Sequence, residues 1–234
     1  MKNFKKASVA VALTAMVAVG SSFIAGKSGL PAFGSSTEKT VGPKTIKVPY
    51  TDVISYFGYA EKDSEDEIID GKKFTFIYVW VPAVAPELGV RMISPTTGIK
   101  IKGATEAANY VANKESAEFF DTYITLEKSD IVSADKVSAD ALGSAKWTKL
   151  ASNDDSSEMP KNPAGSSYNS LLRYKSEASN PLKALTKGLY RIGFTTYKTG
   201  EVKGTFLAEV AAPIKLPGVV VNKDLNEIIK EINK

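Results

Sequence analysis

The run "KFTFIYVWVPAV", Lys73 to Val84, limits what this chain can fold into more than any other stretch. Successive side chains of an extended backbone point to opposite faces, so Phe74, Phe76, Tyr78 and Trp80 share one face and Ile77, Val79 and Val81 the other. Both faces are apolar. The run therefore predicts a central strand covered on each side, ended by Pro82 and Pro86.

The flanking segments read the same way. Residues 46–59 carry aromatics at Tyr50, Tyr56, Phe57 and Tyr59 and read as strand. "GVRMIS" is a short strand closed by the turn Pro95-Thr96-Thr97-Gly98, and "FFDTYITLE" alternates again. Trp147 to Leu150 and "NSLLRYK" are further strands. "LYRIGFTTYK" and "EVKGTFLAEV", separated by Thr199-Gly200, predict a β-hairpin. Helical spacing of Ala104, Ala107, Ala108, Val111 and Ala112 predicts a helix between Ala104 and Glu118. A short helix is expected over residues 134–143 and a helical turn over 181–187. Leu225, Ile228, Ile229 and Ile232 mark a C-terminal amphipathic helix, expected as a lid on the core. Many short strands with few helices favour an antiparallel β-sandwich.

The first residues differ from the rest. Lys2, Lys5 and Lys6 precede an apolar run from Ala7 to Val19 and then small residues, the pattern of a secretory signal peptide. The expected organisation is a leader over 1–22, a flexible Gly-, Ser- and Pro-rich arm over 23–44, and one β-sandwich domain over 45–234. The formal charge of +4 comes largely from those three lysines; the remaining basic residues nearly balance the 26 acidic ones. Nothing in that balance suggests a nucleic-acid partner. An exported chain with no cysteine has no disulfide framework and no thiol for a thioether lipid, so surface or extracellular placement without lipidation is expected.

Composition also removes chemistry. Without histidine and cysteine there is no Ser-His-Asp or Cys-His arrangement, and zinc or copper would need carboxylates alone. Gly26-Lys27-Ser28 imitates the end of a phosphate-binding loop, but Ser21 stands where its first glycine belongs. What remains is hard-cation binding by oxygen. Asp121 and Thr122 offer donors at a strand end, and the adjacent pair Asp154-Asp155 offers two more from the loop "ASNDDSSE". Simple solvation of the acidic loop is the competing reading. The acidic run Asp63, Glu65, Asp66, Glu67 and Asp70 lacks EF-hand spacing, with Ile68 at the glycine position, and reads as a solvated turn.

"VISYFGY", "YVWVPAVAPELGVRMISPTTG", "FFDTYITLE", "SYNSLLR" and "GLYRIGFTTYKTGEVKGTFLAEV" resemble, in the same order, the major surface lipoprotein family of leptospires. The resemblance implies a calcium-binding jelly-roll β-sandwich at the cell envelope, without enzymatic activity, adhesin-like toward extracellular-matrix proteins. It also implies calcium ligands at Asp121, Thr122, Asp154, Asp155 and Tyr168, the last through its main-chain carbonyl. Two departures stand out. The family's lipid-bearing cysteine is absent, and its long aspartate run is reduced here to Asn153-Asp154-Asp155. Weaker calcium binding than the family's is therefore expected. A structural envelope protein and a calcium-dependent carbohydrate-binding module are the alternative functions, and a homodimer is compatible with the terminal helix and free strand edges.

Overall fold

A computed structural model describes residues 30–198 and 202–234. Along them run β1 (Gly34–Val41), β2 (Lys44–Pro49), β3 (Asp52–Ala60), β4 (Glu67–Ile69), β5 (Lys72–Val81), β6 (Glu87–Ile93), β7 (Thr105–Glu106) and helix α1 (Ala108–Asn113). Then follow β8 (Tyr123–Ser129), α2 (Ala139–Ser144), β9 (Trp147–Asn153), β10 (Ser170–Lys175), β11 (Gly188–Thr195), β12 (Gly204–Ala212), β13 (Val220–Asn222) and α3 (Leu225–Ile232). One sheet has the order β10-β6-β12-β3-β7 and the other β13-β5-β11-β8-β9, with β4 on β5. Every strand pair but the short β3–β7 pair is antiparallel. The chain crosses from sheet to sheet at most connections, an arrangement compatible with a jelly roll.

The strand predicted for the opening run is central. Ile77, Val79 and Val81 face Tyr56, Val90, Met92, Phe206 and Val210 of the opposite sheet across one apolar core. Its other face is covered too, as Trp80 packs with Ile131, Leu189 and Ile228 of α3. A third cluster lies outside the first sheet, where Phe33, Tyr50 and Tyr110 of α1 cover Phe57, Leu207 and Ala211. Apolar residues on both faces of the central strands thus have a partner on each side, which is why their sequences show no polar face. α3 is the lid its spacing predicts. Ile228 is fully buried beneath it, so Ile228→Ala is expected to cost about 2–4 kcal/mol in chemical denaturation; a loss near zero would show that the helix is not docked.

Four expectations change. The stretch expected as a loose arm is ordered from residue 30, and Gly34–Val41 pairs with Lys44–Pro49 through a turn at Gly42, φ +60°. Its order comes from burial: Phe33 packs edge-on against Tyr50, and Arg91 donates to the Pro31 carbonyl at 2.8 Å. The proposed hairpin is not one. β11 pairs with β5 and β8, whereas β12 pairs with β3 and β6 in the other sheet. Every residue of both strands is buried, so each is the centre of its own sheet, with both edges taken. Thr199-Gly200 lies outside the described residues, as does the expected leader. The Ala104–Glu118 helix shrinks to Ala108–Asn113, because Thr105–Glu106 first joins the edge of β3 and Ala107 supplies no side-chain cap. Residues 46–59 form two strands broken at Tyr50, whose hydroxyl donates to the buried Glu87 carboxylate at 2.6 Å.

Candidate metal centre

The register of one strand pair assembles the acidic residues. β8 and β9 run antiparallel with Ile124 opposite Asn153, so the residues just before β8 and just after β9 meet at one corner of the sheet. Asp121 stands on the first side and Asp154 and Asp155 on the second. Each offers one carboxylate oxygen, and those three oxygens lie within 4.8 Å of one another. Two oxygens bound to one calcium at roughly 2.3–2.6 Å are at most about 5 Å apart, so the spacing fits a single ion.

The carboxylates are costly as they stand. Asp121 and Asp154 are half-buried, and Oδ1 of each is shut off from solvent with no hydrogen-bond partner among the described residues. Burial, then the charges of Asp154 and Asp155, pushes the Asp121 carboxyl up from 3.8 to about 6. Burial and Asp155 raise Asp154 as well. Lys198 and Lys72 pull Asp121 the other way, and Lys72 also acts on Asp154. Buried carboxylate oxygens without donors are what a divalent cation satisfies, so the residues present fit calcium.

Thr122, by its backbone N–H and its hydroxyl, meets the Tyr168 carbonyl at the same corner. The Tyr168 carbonyl accepts from Thr122 N at 2.9 Å and from Thr122 Oγ1 at 3.2 Å, while the Tyr168 ring stays exposed. Thr122 is fully buried, and its hydroxyl has a second partner in Ser170 Oγ at 2.9 Å. Turning to Ser170 would free one lone pair of the Tyr168 carbonyl for an ion. Ser170 is the residue that sequence reasoning missed. Its hydroxyl is in hydrogen-bonding contact with the carbonyl oxygens of both Thr122 and Asp154, tying strand end and acidic loop to the start of β10. Its only signal was its place in "SYNS". Asn153 Oδ1 strengthens the tie by accepting from Leu171 N at 2.9 Å.

Lys72 was also missed. Its ammonium lies over the rings of Tyr123 and Tyr197, 5.3 and 4.9 Å from their centroids, and donates to the carbonyls of Thr196 and Tyr197. It is a tethered charge beside the carboxylates that competes with any added cation. Lys72→Met is expected to tighten calcium binding several-fold in calorimetry, and weaker binding would contradict this.

Four residues of the other acidic run form ion pairs: Asp63 and Glu65 with Lys73, Asp66 with Lys223, and Glu67 with Arg191. Tyr50, Tyr56 and Tyr174 are buried, and Tyr197 is exposed. Among the described residues no helix is long and apolar enough to cross a membrane.

No curated protein matches the chain in a sequence comparison. The family model for Lipl32, described as a surface lipoprotein of the Spirochaetales order, matches residues 44–221, which take in both sheets and the acidic corner. The chain belongs to this family of spirochaete surface lipoproteins.

Proposed function

We propose that this chain is a non-enzymatic calcium-binding protein of the bacterial envelope surface, in which the ion staples the 154–169 loop to the start of β8. The observation that carries the reading is the meeting of three carboxylates, two of them with a buried oxygen that has no partner among the described residues. Asp121, Asp154 and Asp155 supply the charge. The Tyr168 carbonyl and the Thr122 hydroxyl are the neutral donors that complete an oxygen shell. Three clustered carboxylates repel one another, and a divalent cation turns that repulsion into attraction.

The partners in this reading are extracellular-matrix-type proteins, in an adhesin-like role, and the family membership supports display at the surface. A lipid anchor is not part of the proposal, since the sequence has no cysteine. Titration calorimetry with calcium chloride tests the site. One ion per chain is expected for the wild type, with weaker affinity than a leptospiral relative, and no heat for Asp121→Asn. Equal binding by both proteins would sink the assignment. Solid-phase binding to matrix proteins, with and without chelator, tests the partner reading.

A further inference from the structure

The outer face of the β5 sheet carries a second constellation that shares no residue with the acidic corner. Between α2, α3 and that face lies an open cleft of about 480 Å³. Small-molecule sites span roughly 300–1,000 Å³, so a sugar of one or two rings fits. Trp147 and Tyr78 are half-buried in it, their ring centroids 6.5 Å apart. Phe76 lies deeper. The Arg191 guanidinium lies over two rings, 3.7 Å from the Phe76 centroid and 4.3 Å from that of Trp147. Its Nε and Nη2 reach Glu127 at 2.9 and 2.8 Å, and its Nη1 donates to Glu67 at 3.3 Å. Held by two rings and two carboxylates, this arginine forms a fixed part of the cleft wall.

The cleft has hydrogen-bonding capacity left over. The Tyr78 hydroxyl and the Trp147 indole N–H have no hydrogen-bond partner among the described residues. Asp66 uses Oδ2 for Phe76 N at 2.7 Å and Lys223 at 3.2 Å, and Glu67 uses Oε2 for Arg191. Asp66 Oδ1 and Glu67 Oε1 are unspent. Every charged group there, by contrast, already has a partner, and the three carboxylates and two cations leave one excess negative charge. Lys223 answers Asp66, and Arg191 answers Glu67 and Glu127. An anionic ligand would meet that excess charge and would have to break one of these pairs to gain a counter-ion. A neutral ligand with an apolar ring face and several hydroxyls breaks none, lays its ring against an aromatic side chain and bonds to the unspent groups.

We propose that this cleft binds a neutral sugar unit of an oligosaccharide, with its ring against Trp147 and its hydroxyls on Tyr78, Asp66 and Glu67. Binding there does not require calcium, because none of the acidic-corner residues takes part.

The chain has two tryptophans and Trp80 is buried, so a change in emission on adding a sugar reports on Trp147. The probes are maltose, cellobiose, lactose and diacetylchitobiose at millimolar concentration, titrated into the full chain in calcium and in chelator. A saturable change with at least one of them, equal in both buffers, is expected. In calorimetry Trp147→Ala should weaken that binding more than tenfold, and Tyr78→Phe or Glu67→Gln about three- to tenfold each. Tyr78→Phe and Glu67→Gln remove one polar group at a half-buried or exposed position, so they keep the test alive if Trp147→Ala folds poorly. No saturable response to any of the four sugars overturns the proposal. So does a response to tetramethylammonium alone, binding unaffected by Tyr78→Phe and Glu67→Gln, or binding lost in chelator.

Discussion

Chelating calcium from the wild-type protein at pH 7 is expected to lower its Tm by about 5–10 °C, and to leave Asp121→Asn unmoved. A ligand that binds only the folded state stabilises it by about 2.7 kcal/mol at a hundredfold excess over Kd. For a domain of this size each kcal/mol moves Tm by about 2–4 °C. The variant should also change rank with the buffer. The Asp121 carboxyl is raised in the folded protein from 3.8 to about 6, chiefly by burial and then by Asp154 and Asp155. A folded state that holds a proton more tightly than the unfolded chain is destabilised by losing it. The penalty is therefore full above pH 6 and fades as the pH falls from 6 to 4. Without calcium at pH 7, Asp121→Asn should match or exceed the wild type, by about 1–2 kcal/mol after allowing for the partial exposure of the group. With calcium it should be the less stable protein. Identical wild-type melting with and without chelator would remove the ion from the fold.

The second large effect lies on the far sheet. Arg91 and Glu209 form an ion pair with both side chains almost fully buried, and Ser55 Oγ donates to the same carboxylate at 2.7 Å. Arg91 also holds the N-terminal strand pair through the Pro31 carbonyl and lies over the Phe33 ring, 4.5 Å from its centroid. Arg91→Met leaves a carboxylate at 2% exposure without its counter-charge, which is expected to cost about 3–5 kcal/mol. The double variant Arg91→Met, Glu209→Leu should recover most of that loss, because it removes the stranded charge together with its partner. Equal destabilisation of the single and double variants in urea would mean that packing against Phe33 dominates over the charge.

The two sheets were legible wherever a strand is central. The Lys73–Val84 run and "GVRMIS" declared themselves because burial on both faces leaves a run without a polar side, and "NSLLRYK" read as strand even at the edge of its sheet. The α3 lid was equally plain from four apolar positions. Connectivity was not. "LYRIGFTTYK" and "EVKGTFLAEV" look like a hairpin because local alternation says nothing about which sheet a strand joins. Nor did the Gly- and Ser-rich residues 34–41 announce a strand, because what orders them is Phe33, Tyr50 and the distant Arg91. At the acidic corner, Asp121 and Asp154-Asp155 were visible as residue types, and the register of β8 on β9 is what brings them together. Ser170 and Lys72 escaped notice because a lone serine and a lone lysine carry no pattern, only a position.

Diffraction from crystals grown in calcium is the most direct measurement of the central claim. One strong peak is expected among the carboxylates of Asp121, Asp154 and Asp155, with oxygens at about 2.3–2.6 Å. A corner holding only water, or calcium seated elsewhere on the chain, would contradict it.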